Sequence, residues 1–362
     1  MLKIFIKYLL ANIVNLFILS SKKIKNKTIL IIKIDAIGDY ILFRNFIKEI
    51  KYSKKYKGYS ITLVGNISWK SLADELDREY IDNFIWLDRG RFSKNPFYRY
   101  KKLKEITSKG YEVIINPTYS RNFLDCDNIV KLVNADEKIA MDGDISNSTL
   151  KQHLIGNTFY TKLISTDDNI MFEFYRNRAF FESLLFKNIE ITKPSIELER
   201  KEFDFIPKDR YVVIFIGGSS YLKKWDIKRY ASIAKYLKYR YNYIVVLSGS
   251  SDDVEQSKNF REYFDNDYVD LVSKTSLVDM LYLLSKADIL VSNETSIPHI
   301  AVALNNIKVF VLYAGKHFGR FVPYPKEIIT KYCLIYIENN FDINLITIDM
   351  VKKEIDKVLD EK

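Results

Sequence analysis

From residue 28 onward the chain alternates short apolar runs with longer segments whose apolar residues recur at helical spacing. The run "TILIIKI" (28–34) is rich in β-branched residues and reads as a fully buried strand. "DAIGDY" then turns the chain, and "ILFRNFIKEIKYSKKY" has helical periodicity. Further strands are expected at "YSITLVG", "FIWLD", "YEVIINP" and "KIAMDG", with helical segments between them. The rhythm is lost around residues 145–190, where "FEFYRNRAFFESLLF" reads as a helix. "KNIEITKPSIELERKEFDFIPKDR" follows as a charged connector with two prolines. A second series runs through "RYVVIFIGGSS", "YNYIVVLSGSSDD", "VDLVS", "ADILVSNE", "NIKVFVLYAG" and "YCLIYIE".

Strands alternating with helices predict mostly parallel α/β sheets. Two similar successions predict two doubly wound domains facing a central cleft, with ligands beyond the carboxyl ends of the strands. The boundaries read as an apolar and basic helix over 1–27, one domain over 28–190, a second over 191–345, and an amphipathic helix over 346–362.

The first segment allows two readings. Its apolar stretch from Tyr8 to Leu19 is broken by Asn12 and Asn15 and falls short of the roughly 20 residues that span a bilayer. No small-x-small cleavage pattern follows; instead come Lys22, Lys23, Lys25 and Lys27. Such a helix can lie in a membrane interface. It can also pack on the body of the protein.

Composition narrows the class. At 362 residues the chain suits two domains, and 48% apolar content excludes disorder. The net charge of +10 predicts an anionic partner: nucleotide phosphate, acidic membrane or nucleic acid. Cys126 and Cys333 are the only cysteines and stand far apart, which argues against a disulfide framework or structural zinc and for a reducing compartment.

Four strand-to-helix junctions can carry chemistry. In "KIDAIGDY" (33–40), Gly38 permits a tight turn, and Asp39 opens a helix at the cleft end of its domain's first strand. The loop lacks G-x-G-x-x-G, which demotes nicotinamide chemistry. "FIGGSSYLKKW" (215–225) offers Gly217, Gly218, Ser219 and Ser220, then Lys223 and Lys224, a composition suited to phosphate though not a Walker A loop. "VLSGSSDD" (246–253) places Asp252 where a carboxylate could accept ribose hydroxyls, although a capped helix start is the favoured reading of this loop. In "VSNETSIPHIAVAL" (291–304), capping accounts for Asn293, Thr295 and Ser296 but not for Glu294 and His299.

Taken together, these stretches resemble glycosyltransferase family 9, the ADP-heptose:lipopolysaccharide heptosyltransferases and their relatives. "ILIIKIDAIGDYILFRNFIKEIK" is similar to the family's opening strand and Gly-Asp turn, and "IFIGGSSYLKKWDIKRYASIAKYL" to its phosphate-binding segment. "VSKTSLVDMLYLLSKADILVSNETSIPHIAVAL" is similar to its most characteristic block, and the resemblance spans about residues 28–345. It implies a GT-B arrangement of two Rossmann-like domains, inverting transfer without a metal or other cofactor, and a nucleotide-sugar donor. It also implies a lipid-linked glycan acceptor and a cytoplasmic enzyme peripheral to the inner membrane.

By motif position, Asp39 becomes the general base, Lys223 a phosphate contact, and Gly218, Ser219 and Ser220 the turn beside the diphosphate. Glu294 becomes the donor-sugar carboxylate, Thr295 and Ser296 the phosphate turn, and Asp252 a ribose contact. His299 follows in the helix, as a phosphate contact or a satisfied buried histidine. Glu294 stands where the family usually has Asp, and Ser296 where it has Gly; both changes bear on donor specificity.

The resemblance leaves competing readings to test. The donor could be a UDP- or GDP-linked sugar. A GT-B sugar-nucleotide epimerase could share the nucleotide loops, but would need further catalytic acids. A catalytically silent paralogue acting as a binding protein is motivated by Glu294 and Ser296 and opposed by Asp39 and Lys223. A nucleic-acid module fits the charge, yet the basic residues are dispersed and no recognisable motif appears.

Overall fold

The computed structural model describes residues 2–166, 172–218, 221–316, 318–329 and 331–360. It divides into two compact units, Met1–Ile191 and Thr192–Lys362.

Unit 1 opens with α1 (Leu2–Leu16) and then β1 (Ile24–Lys33), α2 (Ile37–Phe43), α3 (Asn45–Lys51), β2 (Ser60–Asn66), α4 (Lys70–Leu76) and β3 (Asn83–Leu87). It continues with α5 (Arg89–Lys94), α6 (Pro96–Thr107), β4 (Gly110–Asn116), α7 (Asn128–Leu132) and β5 (Ala135–Met141). α8 (Leu150–Asn157), β6 (Lys162–Ile164) and α9 (Glu173–Leu185) complete it. The six strands are parallel and lie in the order β3-β2-β1-β4-β5-β6. Ile29, Leu30, Ile31 and Ile32 of β1 are wholly buried, as expected of a central strand with helices on both faces. β1 begins at Ile24, so the sheet takes in residues that the sequence pattern had left with the N-terminal segment.

Unit 2 contains β7 (Tyr211–Phe215), α10 (Ile227–Tyr241), β8 (Ile244–Ser248), α11 (Val254–Tyr263), β9 (Val269–Asp270) and α12 (Leu277–Lys286). Then come β10 (Ile289–Asn293), α13 (Ser296–Leu304), β11 (Lys308–Tyr313), β12 (Tyr332–Tyr336) and α14 (Ile348–Asp360). Its parallel sheet has the order β12-β11-β10-β7-β8-β9. The C-terminal helix is no appendage: Val351 and Ile355 belong to the same buried cluster as Val212, Ile214 and Trp225.

In each unit the chain winds outward from a central strand, then crosses back to build the other half of the sheet. The switch point therefore falls between β1 and β4 in unit 1 and between β7 and β10 in unit 2. Loops diverge there at the carboxyl edge and leave room for a ligand.

Candidate functional site

At the switch point of unit 2, one side chain organises the backbone. Asn293 ends β10 with no exposure. Its Nδ2 donates to the carbonyls of Ile216 (3.3 Å) and Gly217 (3.0 Å). Its Oδ1 accepts from the Trp225 backbone N–H (3.2 Å) and the Tyr230 hydroxyl (2.8 Å). The end of β7, the turn after it and the start of α10 are thus tied to β10. Gly217 is demanded by this closeness, since a Cβ there would sit 2.6 Å from the Phe215 ring. At Gly218 a Cβ would come within 2.9 Å of the Lys224 side chain and 3.2 Å of the Lys223 carbonyl.

The next residue carries the charge. The Glu294 backbone N–H donates to the Leu312 carbonyl (3.0 Å), and its carboxylate meets Lys223 Nζ at 3.0 Å. The two side chains are 14% and 28% exposed, so the pair is reachable from solvent but not freely hydrated. Thr295 caps α13, its hydroxyl accepting from the Ile297 N–H at 3.3 Å. Ser296 is the first helical residue with φ in the ordinary negative range, so a side chain in place of glycine brings no left-handed strain. Lys223, Glu294, Thr295 and Ser296 thereby gather at one helix N-terminus. Ser219 and Ser220 lie outside the described residues.

Two predicted contacts sit differently. His299 is only 4% exposed, and its Nδ1 is 2.6 Å from the Tyr324 hydroxyl. Burial pushes its pKa down to about 4, against the opposing pull of Glu294. It is a buried imidazole hydrogen-bonded through Nδ1, a placement that suits the second of the two roles open to it from sequence. Asp252 is exposed on a short turn after β8, its N–H bonded to Ser250 Oγ. The organised carboxylate of that loop is its neighbour Asp253, wholly buried, which accepts from the Ser250 N–H (2.8 Å) and hydroxyl (2.7 Å) and pairs with Lys224. Two successive Asp residues gave no means of telling the exposed from the buried one.

Unit 1 has its own cluster at its switch point. Asp39 lies in the first turn of α2, partly exposed. α2 is anchored from within: the Tyr40 hydroxyl and the Arg44 guanidinium (2.7 Å) both bond the buried Asp77. Tyr40 also stacks on Trp69 with centroids 4.3 Å apart. Beside Asp39 the structure adds residues that sequence reasoning passed over. Asp35 accepts from Lys33 Nζ at 2.9 Å and from Thr118 Oγ1 at 2.8 Å. Burial alone would raise the Asp35 pKa, but the Lys33 charge and the two hydrogen bonds outweigh it and hold the carboxylate below its usual range. Burial likewise disfavours the charged Lys33, yet the neighbouring Asp35, Asp39 and Glu173 charges prevail and keep it protonated. A lysine inside the run "LIIKID" was the available signal, because an unpaired lysine almost never stands at a fully buried position.

Among the described residues, no group of three or more His, Cys, Asp or Glu is placed to hold a metal ion. Among the described residues, the switch points thus carry the partly exposed Lys223–Glu294 pair at a helix N-terminus in unit 2 and, in unit 1, Asp35 and Asp39 near the buried Lys33.

Two parallel sheets of this winding, each with its polar cluster at the switch point, define the chain as an α/β protein of the GT-B glycosyltransferase fold. The family model "Glycosyltransferase family 9 (heptosyltransferase)" matches residues 99–339, and the chain belongs to that family. Among solved structures, it is similar to a family 9 glycosyl transferase from Veillonella parvula (17% identity, TM-score 0.70), covering 95% of this chain and 99% of that one. It is also similar to E. coli heptosyltransferase WaaC with ADP-2-deoxy-2-fluoro heptose (19% identity, TM-score 0.69), covering 91% and 99%. E. coli ADP-heptose lps heptosyltransferase II aligns over 92% and 98% at 17% identity, TM-score 0.68. No curated protein sequence matches the chain. The protein is thus a heptosyltransferase-like glycosyltransferase, and its Gly38–Asp39 turn precedes the stretch that the family model covers.

Proposed function

We propose that this protein transfers heptose from ADP-heptose to a lipopolysaccharide-type core or related surface glycan, with inversion and without a metal ion. The observation that carries the reading is the Lys223–Glu294 pair at the N-terminus of α13, on the switch point of its sheet. A lysine and a helix N-terminus suit a nucleoside diphosphate, and the carboxylate beside them suits sugar hydroxyls. Support also comes from the solved WaaC structure, which holds an ADP-heptose analogue on the same fold.

In the proposed reaction an acceptor hydroxyl attacks the anomeric carbon of the donor, and its proton passes to Asp39. The bond from that carbon to the diphosphate oxygen breaks, and the electron pair leaves with the nucleoside diphosphate. Attack on the face opposite the leaving group inverts the centre. Lys223 and the backbone N–H groups opening α13 take up the charge on the leaving group, the work a divalent cation does elsewhere. Glu294 orients donor hydroxyls once Lys223 turns to the phosphates. Asp252 is kept as a ribose contact, because its exposure leaves the carboxylate available. The setting is the cytoplasmic face of the inner membrane, where a lipid-linked acceptor is presented.

A second donor has a specific observation behind it. Glu294 reaches Lys223 with one methylene more than the aspartate usual in the family, and this shifts where a sugar hydroxyl is read. A thermal-shift panel of ADP, UDP, GDP and CMP, followed by transfer from the matching nucleotide sugar, tests both readings. Preferential stabilisation by ADP and turnover of ADP-heptose is the expected result. Preference for UDP or GDP keeps the reaction and replaces the sugar. No stabilisation by any nucleotide, with no transfer, would overturn the assignment and favour a silent binding protein.

A further inference from the structure

The N-terminal helix packs on the body of the protein, one of the two readings open to it from sequence. Its inner side is fixed to unit 1. Ala11 and Val14 are buried, and the Asn15 and Asn128 side chains exchange hydrogen bonds of 2.6 and 3.2 Å. After the helix, the Ser21 N–H bonds the Thr107 carbonyl at 2.9 Å and the Ser20 hydroxyl bonds the Leu132 carbonyl. The outer side should then be polar, as on any surface helix. Instead Leu9, Leu10, Ile13, Leu16, Phe17 and Leu19 are all exposed, Leu16 by 82% and Leu19 by 90%.

The helices beside α1 also expose apolar side chains. α6 packs on α1 and bears Phe97, 85% exposed. Tyr8 stacks on Phe123 with centroids 6.3 Å apart. Phe123 also faces α8 at Gly156, where a Cβ would lie 3.6 Å from its ring. α8 in turn exposes Leu150, Leu154 and Ile155. Exposed apolar side chains on three neighbouring helices are more than the singly scattered ones of an ordinary surface. Lys22, Lys23, Lys25 and Lys27, all exposed, follow the helix directly.

We propose that α1, with the outer faces of α6 and α8, is a docking surface for an anionic lipid bilayer. α1 lies in the boundary between headgroups and acyl chains, and the lysines after it face lipid phosphates. No helix among the described residues is long and apolar enough to cross a membrane, so the contact is superficial. A second copy of the chain is the competing occupant. A two-fold interface would gather the lysines of both copies along one contact face with no anionic partner among them, whereas an anionic surface neutralises them.

The placement of α1 gives the docking a direction. The helix passes Phe123, in the segment after β4, and the chain that follows it reaches Thr107 and Leu132, just before β4 and β5. Its first half therefore lies toward the carboxyl edge of the sheet. The same π-helical turn that holds Phe123 holds Asp125, which pairs with Arg89 at 3.4 Å. A bilayer against α1 runs beside the edge that carries Asp35 and Asp39, so a lipid-linked acceptor reaches that edge without leaving the membrane. This last step rests on the proposed function; lipid binding does not.

The test is sedimentation of the full chain with phosphatidylcholine vesicles and with vesicles containing one-third phosphatidylglycerol. The wild type should partition into the anionic vesicles. Leu16→Ser/Phe17→Ser/Leu19→Ser should lower the partition coefficient at least tenfold, and Lys22→Gln, Lys23→Gln and Lys25→Gln together should remove the preference for phosphatidylglycerol, roughly fivefold per lysine. Both variants change exposed side chains, and unchanged thermal unfolding confirms that they fold. Wild type left in the supernatant, undiminished binding by the apolar variant, or a dimer abolished by that variant in the absence of lipid binding would each overturn the proposal. Transfer to a water-soluble acceptor fragment, measured in parallel, should be the same for wild type and variants. Its failure in every protein would count against the proposed reaction while leaving the vesicle result to stand.

Discussion

Asn293→Ala removes a buried amide whose four hydrogen bonds set the size of the effect. It leaves four buried groups without their partner: the Ile216 and Gly217 carbonyls, the Trp225 N–H and the Tyr230 hydroxyl, all bonded at 2.8–3.3 Å in the intact protein. Each unsatisfied buried group costs about 1–3 kcal/mol, but the vacated space can admit a water that recovers part of the loss. A net destabilisation of about 3–5 kcal/mol follows, a large share of what a domain possesses. Trp225 is the single tryptophan of unit 2. In a background with Trp69 and Trp86 replaced by Phe, its fluorescence reports urea unfolding of that unit alone. Asn293→Asp supplies a sharper control, because it keeps the acceptor for Trp225 and Tyr230 but replaces the donor that faces two carbonyls. Only a protonated carboxyl can donate there, so its pKa rises above the unfolded value. The stability it offers at low pH is then lost as pH increases through the folded pKa. A loss below about 1 kcal/mol for Asn293→Ala, or an Asp variant insensitive to pH, would refute the account of Asn293 as the clamp on this loop.

Three further outcomes are expected. Glu294→Gln removes the charge that holds Lys223 at 3.0 Å, a partly buried pair worth about 1 kcal/mol, so ADP should bind roughly fivefold more tightly by calorimetry while sugar transfer falls; equal or weaker ADP binding would contradict the competition. Asp39→Asn should lower kcat for transfer by at least about a hundredfold with nucleotide affinity unchanged, and near-normal turnover would remove Asp39 from the role of base. His299, held neutral by burial with a pKa near 4, must lose stability in acid relative to its unfolded value of 6.5. The loss begins as pH falls below about 6.5 and is complete near pH 4, amounting to about 3 kcal/mol. His299→Gln should therefore flatten the stability curve between those limits, and a curve parallel to wild type would show that the imidazole is not buried as described.

Much of this architecture was legible because the central strands are fully buried. Apolar runs such as "TILIIKI" and "NIKVFVLY" leave little choice once helical spacing follows them, and each is a strand in the sheets. The rhythm failed where the sheets thin out. β6 is three residues at an edge, and β9 is two. β6 is too short for alternation to register, so it and α8 went unread within residues 145–190, whereas α9 read as a helix and "VDLVS" marked β9. At the sites, sequence located the junctions better than the roles within them. It paired neither Lys223 with Glu294 nor Asp253 with Lys224, since those partners are 71 and 29 residues apart and meet only through the crossover of the sheet.

The residues missed share one physical character. Asn293, Asp253 and Lys33 are polar side chains with 0–1% exposure, and each is spent on fixing backbone or on holding another charge. Such a residue is costly to bury and is kept only where its partners repay it. The cost therefore marks where a loop must be held in one shape. In unit 2 such a residue holds Ile216, Gly217 and Trp225, and in unit 1 the turn from Lys33 to Asp39. Both follow the first strand of their sheet, and both present their exposed charges, Lys223 and Asp39, only after a buried polar group has set the backbone. Losing a buried organiser should thus weaken ligand binding as well as folding, whereas losing Lys223 or Asp39 should spare the fold. A Lys223→Ala variant that unfolds as readily as Asn293→Ala would show that this division between framework and chemistry is wrong.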